Sequence, residues 1–153
     1  MPVLTIDNVE VRTPEESTIL EAAESAGIWI PTLCYYPKTS PSDACRMCVV
    51  QIEGLDRPVT SCNTVAVDGM RVSTDTPKLR AMREEVMKLI LMDHPLECPT
   101  CPAGGESDIQ NLTYRLGIYG TDYPLAVRDV PVVRHWQQIE YNQNLSITCL
   151  RCV

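Results

Sequence analysis

The sequence predicts an α+β fold: a small sheet packed on one helix, followed by a helical extension. Three observations carry that expectation. Short runs alternating in Val, Ile and Thr, punctuated by turn residues, open the chain as strands do. A short helix with recognisable start and stop signals follows them. A turn-rich stretch from Cys34 to Cys62 then leads into further strand-like runs.

Taken in order, Val3-Leu4-Thr5-Ile6 and Val9-Glu10-Val11-Arg12 read as two strands joined by a hairpin turn at Asp7-Asn8. A helix is expected from about Thr18 to Ala26, with Thr18 and Glu21 as a capping box and Gly27 in the left-handed position beyond the last turn. Ile19, Ala22, Ala23 and Ala26 give it one narrow apolar face. Cys48 to Glu53 alternates as a strand and Gly54 breaks it; Pro58-Val59-Thr60 and Met70 to Thr74 start two more. Hairpin, helix, cysteine loop and three further strands make a β-grasp arrangement over residues 1–75.

The extension, residues 76–118, begins with Thr76-Pro77, an N-cap followed by proline at the first helical position. Leu79, Met82, Val86, Leu89 and Ile90 recur at helical spacing, so a helix runs to about Asp93. Met82, Met87 and Met92 on it read as packing residues. Pro95, Pro99, Pro102 and Gly104-Gly105 then impose an irregular loop, and Asp108 to Leu116 forms one more short helix closed by Gly117. The pattern from Tyr119 to Asn144 is weak, so residues 119–153 are expected to be an extended tail, with His135 as an exposed side chain beside Trp136.

Three cysteine-bearing stretches carry the chemistry. The first places Cys34, Cys45, Cys48 and Cys62 on one loop, with Pro37, Ser40, Pro41, Ser42 and Asp43 between them. A Cys-x-x-Cys pair on a wrapping loop, flanked by a distant cysteine on each side, gathers four thiolates around a small volume. A 2Fe–2S cluster needs that ligand set. A four-cysteine zinc site and a pair of disulfides are the other readings; zinc usually joins two close cysteine pairs. The second stretch sets His94, Cys98 and Cys101 in register, with Ser107 six positions after the last thiol. The third is Cys149-x-x-Cys152, with Ser146 three residues before it. Two thiolates alone cannot complete a four-iron cluster, so this pair is expected to carry no metal; a zinc site joining it to Cys98 and Cys101 would span a long gap.

The words IPTLCYYP and CRMCVVQIEG resemble the iron–sulfur subunit of NADH-oxidising complexes: bacterial respiratory complex I, NAD-linked hydrogenases and formate dehydrogenases. The resemblance extends to DHPLECPTCPAGGESDIQ and NLSITCLRCV, and so covers nearly the whole chain. It implies a β-grasp 2Fe–2S ferredoxin-like domain and a helical cluster-binding extension. Matching the family's motifs, His94, Cys98 and Cys101 would be ligands of a 4Fe–4S cluster whose fourth ligand, a cysteine in the family, is Ser107 here. Ser146 likewise stands at a family cysteine. Since a hydroxyl is much harder to deprotonate than a thiol, the second site is open to a serine-ligated cluster, a three-iron cluster or none, and an empty or degraded site is the expectation. The implied function is electron transfer between a flavin-bearing NADH-oxidising subunit and further subunits of a redox complex. A stand-alone ferredoxin, or a structural subunit using the extension as an interface, are the alternatives.

Composition narrows the classes further. At 153 residues the chain makes one domain, or a small one with an extension, and without Phe its core must be aliphatic. A net charge of −7 with no Lys/Arg cluster argues against nucleic acid. No apolar run is long enough to span a membrane, and no signal peptide is recognisable at MPVLTIDNVEVR. Eight cysteines without a secretory signal point to a reducing, cytoplasmic setting, including the peripheral arm of a membrane complex. No glycine-rich phosphate loop is present, so neither NAD nor flavin is expected to bind here and no catalytic site is assigned.

Overall fold

The computed structural model describes residues 1–126, 128–135 and 139–151. The chain divides into two compact units, one built on Met1–Arg83 and the other on Glu84–Cys149.

In the first unit, β1 (Val3–Ile6) pairs antiparallel with β2 (Val9–Arg12). Asp7 and Asn8 between them have φ of 47° and 69°. Both central residues of a tight hairpin turn must adopt the left-handed conformation, which Asp and Asn tolerate better than other side chains. The Asp7 carboxylate also accepts hydrogen bonds from the Thr74 backbone N–H at 2.8 Å and from the Thr74 hydroxyl, fixing the hairpin to the end of the strand that runs parallel beside β1.

The helix α1 (Ile19–Ser25) starts as its sequence dictates. Thr18 Oγ1 accepts from the Glu21 N–H at 3.2 Å, and the Thr18 N–H donates to Glu21 Oε2 at 2.8 Å. Gly27 follows at φ 70°. The buried face is Ile19, Leu20, Ala22 and Ala23. Ala26, expected on that face, is exposed at the C-cap, where the helix has already ended, and Leu20 takes its share of the burial.

After the cysteine loop come β3 (Val49–Ile52), β4 (Val59–Thr60) and β5 (Arg71–Ser73). The sheet order is β2-β1-β5-β3-β4, with β1 and β5 parallel at the centre and the other neighbours antiparallel. This is the β-grasp arrangement. Its core joins Leu4, Ile6, Val11, Val50, Ile52 and Val72 of the sheet to the buried face of α1, and Cys48 and Cys62 belong to the same cluster. Small alanines on α1 let the helix approach the sheet closely, as an aliphatic core of native density requires.

The helix α2 (Pro77–Met92) is capped by Thr76, whose Oγ1 accepts from the Leu79 N–H at 3.2 Å. Its buried stripe is Leu79, Arg83, Met87 and Leu91, one residue every fourth position. Of the apolar face expected from sequence, Leu79 is buried, Met82, Val86 and Ile90 are half-buried, and Leu89 is exposed. An arginine lies on the stripe, which hydropathy alone hides.

In the second unit, α3 (Asp108–Leu116) buries Ile109 and Leu112 and ends at Gly117, φ 72°. Beyond it the expected extended tail is more ordered than predicted. β6 (Val133–His135) pairs antiparallel with β7 (Ile139–Tyr141), and a 3-10 turn covers Gln143–Leu145. Long-range contacts hold this segment. The Arg128 guanidinium grips both oxygens of Asp93, with Nε at 2.9 and 3.0 Å, and the Ala126 N–H donates to Met92 O at 2.8 Å. The Val130 N–H and C=O each bond the Asn144 side chain at 2.9 Å. Strands of only three residues, in a segment tied back by Arg128 to Asp93 thirty-five positions earlier, leave no local periodicity to read. Trp136 and the His135 side chain lie outside the described residues. Among the described residues no helix is long and apolar enough to cross a membrane.

The capping box is the one local signal on which α1 starts. Thr18→Ala should therefore lower unfolding stability by about 1 kcal/mol, measured by urea denaturation, whereas a swap to Ser should be nearly neutral.

Candidate metal centres

The four cysteines of the first unit come together, and they do so as two pairs. Cys34 and Cys45 share a hydrogen bond, as do Cys48 and Cys62, and the charge of Cys34 also reaches Cys62. Three of the four are buried; Cys45 is half-buried. Among the described residues no three His, Cys, Asp or Glu side chains are arranged around one metal-ion position.

The loop is built to meet sulfur with donors. Asp43 and Arg46, flanking Ala44 and Cys45, have φ of 50° and 56° and turn the backbone inward. An Asp43–Arg46 ion pair at 3.3 Å spans that turn. The N–H groups of Ala44 and Cys45 point at the Cys34 sulfur, and the Met47 N–H lies 3.5 Å from the Cys45 sulfur. Hydroxyls add to this: Ser42 donates to Cys34, and the Ser61 side chain lies against Cys48 and lowers it. Successive inward amides of this kind form an anion-binding concavity. The strands place the second pair. The Ser61 N–H and Oγ both donate to the Cys48 carbonyl, at 3.0 and 2.9 Å, extending the β3–β4 ladder to the point where Cys48 and Cys62 meet.

Within each pair one thiol is shifted down and the other up. Cys48 is pulled down to about 6, chiefly by the hydrogen bond from Cys62, against the effect of burial. The same bond, then burial, pushes Cys62 far up. Burial also pulls Cys34 upward, but the donors of Ser42, Cys45 and Ala44 outweigh it and leave it lowered. Cys45 is pushed up to about 11, mainly by burial.

The second set also converges. His94, Cys98, Cys101 and Ser107 line one cavity of about 80 Å³ in the second unit, together with Ile109 and Leu145. The cysteines are half-buried, and His94 Nδ1 is buried without a hydrogen-bond partner among the described residues. Burial, then the Arg128 charge, lowers the His94 pKa, so the ring is neutral with a lone pair for a metal. Ser107 is the N-cap of α3, yet its side chain makes no capping hydrogen bond. A Cβ on Gly104 would stand 2.6 Å from Cys98 O and 3.1 Å from Cys101 O, so only glycine lets the loop close around the cavity. The donor set and the orphaned imidazole nitrogen fit a metal group with three strong ligands and one vacant or weak position.

Of the third pair only one cysteine is described. Cys149 is half-buried, Cys152 lies outside the described residues, and Ser146 Oγ accepts from the Thr148 N–H at 3.1 Å.

Comparison with known proteins fits this geometry. Residues 3–77 match the 2Fe–2S iron–sulfur cluster binding domain, and residues 83–121 the NADH-ubiquinone oxidoreductase-G iron–sulfur binding region. The chain carries these two iron–sulfur regions one after the other. The NADPH-Fe(3+) oxidoreductase subunit alpha of Geobacter sulfurreducens is 46% identical over 153 residues, covering 100% of this chain and 18% of that protein. The mitochondrial NADH dehydrogenase [ubiquinone] iron-sulfur protein 1 of Solanum tuberosum is 38% identical over 148 residues, covering 97% of the chain and 20% of that protein. Among solved structures, an NAD+-reducing NiFe-hydrogenase in the H2-reduced state superposes with a TM-score of 0.93 at 27% identity, over 99% of this chain and 64% of that one. The chain thus spans about a fifth of the length of the curated relatives it matches. The two matches give it a 2Fe–2S domain followed by a 4Fe–4S binding region.

Sequence reading of this module missed Ser42, Ser61 and Arg83 as partners of the cysteine loop. The Ser61-Cys62 dipeptide was a usable signal for one of them. Arg83, four residues from Leu79 and four from Met87, was another.

Gly104 supplies a direct check on the second loop. Gly104→Ala should destabilise it by about 1–3 kcal/mol, seen as faster hydrogen exchange at the Cys101 and Gly104 amides, which now donate to Glu97 O and Cys101 O. Unchanged exchange would mean that the loop closes without that contact.

Proposed function

We propose that Cys34, Cys45, Cys48 and Cys62 hold the 2Fe–2S cluster, the first two on one iron and the last two on the other. The observation that carries this reading is the meeting of the four sulfurs as two hydrogen-bonded pairs inside one nest of amides and hydroxyls. A single tetrahedral zinc would need all four sulfurs about 2.3 Å from one point; two pairs suit two irons better. When bound, the cluster stores one electron. The chain's own residues hold it, donate hydrogen bonds to its thiolates and keep water from three of the four, and each of these tunes how readily that electron is taken up.

The module passes single electrons between a flavin-bearing NADH-oxidising partner and further subunits of a redox complex. Names of the relatives support this: one is an NADPH-linked oxidoreductase subunit and the other an iron–sulfur protein of an NADH dehydrogenase. Residues 1–75 form the ferredoxin-type domain, 76–118 the second cluster segment, and 119–153 the remainder, ending in the partial Cys149/Cys152 motif. The complex works in a reducing, cytoplasmic setting.

The second site is weakened by Ser107. His94, Cys98 and Cys101 supply three ligands, and Ser107 stands at the fourth position with its hydroxyl uncommitted to the α3 cap. The N-terminal end of α3 favours negative charge there, but an alkoxide is far harder to form than a thiolate, so the second site of this chain is empty or degraded.

Two experiments test these assignments. Cys45→Ala should abolish the visible absorption and the reduced-state EPR signal of the 2Fe–2S centre, together with its reduction by NADH in the presence of a flavin-bearing NADH dehydrogenase. A variant that keeps both signals overturns the ligand set, and NADH oxidation by the purified chain alone overturns the relay. Ser107→Cys should raise iron content by about four atoms per chain, following the ligand count of four-iron clusters. Iron and EPR unchanged by that substitution would mean that Ser107 already serves as ligand or that no cluster belongs there.

A further inference from the structure

Arg83 is a buried cation without a buried counter-charge. It is 5% exposed and lies on the inward stripe of α2. Its Nε donates to Met47 O at 3.2 Å, and its Nη2 donates to Val49 O at 2.7 Å and Thr74 O at 2.9 Å. All three acceptors are neutral carbonyls, and among the described residues no carboxylate forms an ion pair with it. Asp75 is taken up by Arg80, at 2.7 and 2.6 Å. Asp7 is engaged by Thr74. Desolvating a guanidinium is costly, and neutral carbonyls alone offset that poorly.

The position of the clamp suggests what the missing charge is. Met47 and Val49 are the residues on either side of Cys48, so Arg83 grips the backbone through which that cysteine is presented. The charges that reach the guanidinium are those of Asp75, then the Cys48 sulfur, then Asp7; of these only the sulfur belongs to the cysteine loop. Four thiolates around two ferric ions and two sulfides sum to a charge of −2, and one added electron makes it −3.

We propose that Arg83 is the counter-cation of the 2Fe–2S cluster: a positioning residue that fixes the peptides flanking Cys48 and stabilises the reduced state. The proposal rests on the ligand assignment above. One electron from a reduced flavin adds one negative charge to the site, with no bond broken and no proton needed for balance. A fixed, buried positive charge makes that uptake more favourable and so raises the reduction potential. Being buried, the effect resists screening by salt. Arginine suits the role because it keeps its proton over the working range, and its planar fork reaches three carbonyls at once, which a lysine cannot do.

The test is a redox titration of the 2Fe–2S EPR signal in the parent chain and in Arg83→Gln and Arg83→Lys, with iron content and melting temperature measured alongside. Arg83→Gln keeps a donor and loses the charge; it should lower the one-electron equilibrium constant for reduction about tenfold, which is about 59 mV, at low and high salt alike. Arg83→Lys keeps the charge and loses the fork; its potential should stay near the parent's while its melting temperature falls. Arg83→Met, an apolar side chain of similar reach, takes the place of Arg83→Gln where that variant does not fold. A potential unmoved by losing the charge, with only melting affected, would reduce Arg83 to a structural tie and overturn the proposal. Equal drops in the Gln and Lys variants would also overturn it, because geometry and not charge would then set the potential. Absence of any 2Fe–2S signal in the parent chain would instead remove the ligand assignment, and this proposal with it.

Discussion

Burying sulfur that must work as an anion is unfavourable unless hydrogen-bond donors meet it, and the first unit is arranged around that requirement. Cys34, Cys48 and Cys62 are buried, with Cys48 and Cys62 inside the aliphatic core itself. Amides of Ala44 and Cys45 and the hydroxyl of Ser42 converge on Cys34, the Met47 amide meets Cys45, and Ser61 lies against Cys48. Left-handed backbone at Asp43 and Arg46 aims the amides. The β-grasp sheet supplies the rigid frame: Cys48 stands one residue before β3, Cys62 two residues after β4, and the Ser61 bonds to Cys48 lock those two ends together.

α1 serves the same end. Its first amides donate not only within the helix but across it, Ile19 to Thr64 O at 2.9 Å and Leu20 to Ser61 O at 3.0 Å. Groups that a helix N-terminus leaves unsatisfied are thereby used to tie down the segment carrying Cys62. The fold therefore does more than enclose the cysteines; it directs its orphan donors to the loop that presents them.

The second unit follows a different logic. Its ligand-bearing loop is short, rich in proline and glycine, and held by a few specific contacts: Arg128 on Asp93, the Gly104 approach to Cys98, and the Gly105 N–H on Gln110 Oε1 at 2.8 Å. Half-buried cysteines and an unpartnered His94 nitrogen leave the site less saturated by protein donors than the first. A metal group would supply a larger share of the order there, because ligand binding and local folding are coupled when a site is incomplete without its metal. Loss of one thiol at Ser107 thus falls on the unit with less to spare.

Local signals were strong enough for the sequence by itself to determine most of the elements. Asp7-Asn8, the Thr18/Glu21 box, Thr76-Pro77 and Gly117 each encode a backbone conformation within a few residues, and all four appear as read. Cysteine spacing likewise marked both candidate ligand sets, since short Cys-x-x-Cys pairs are covalently held near one another. What only the tertiary structure decided were relations between distant residues. The pairing of Cys34 with Cys45 and Cys48 with Cys62, the serine donors and the burial of Arg83 against carbonyls of Met47, Val49 and Thr74 all depend on segments up to dozens of positions apart. Hydropathy places an arginine at the surface by default; only the packing of α2 shows that its buried stripe passes through position 83, because carbonyls left over at the edge of the cysteine loop needed a donor and no local rule records that need.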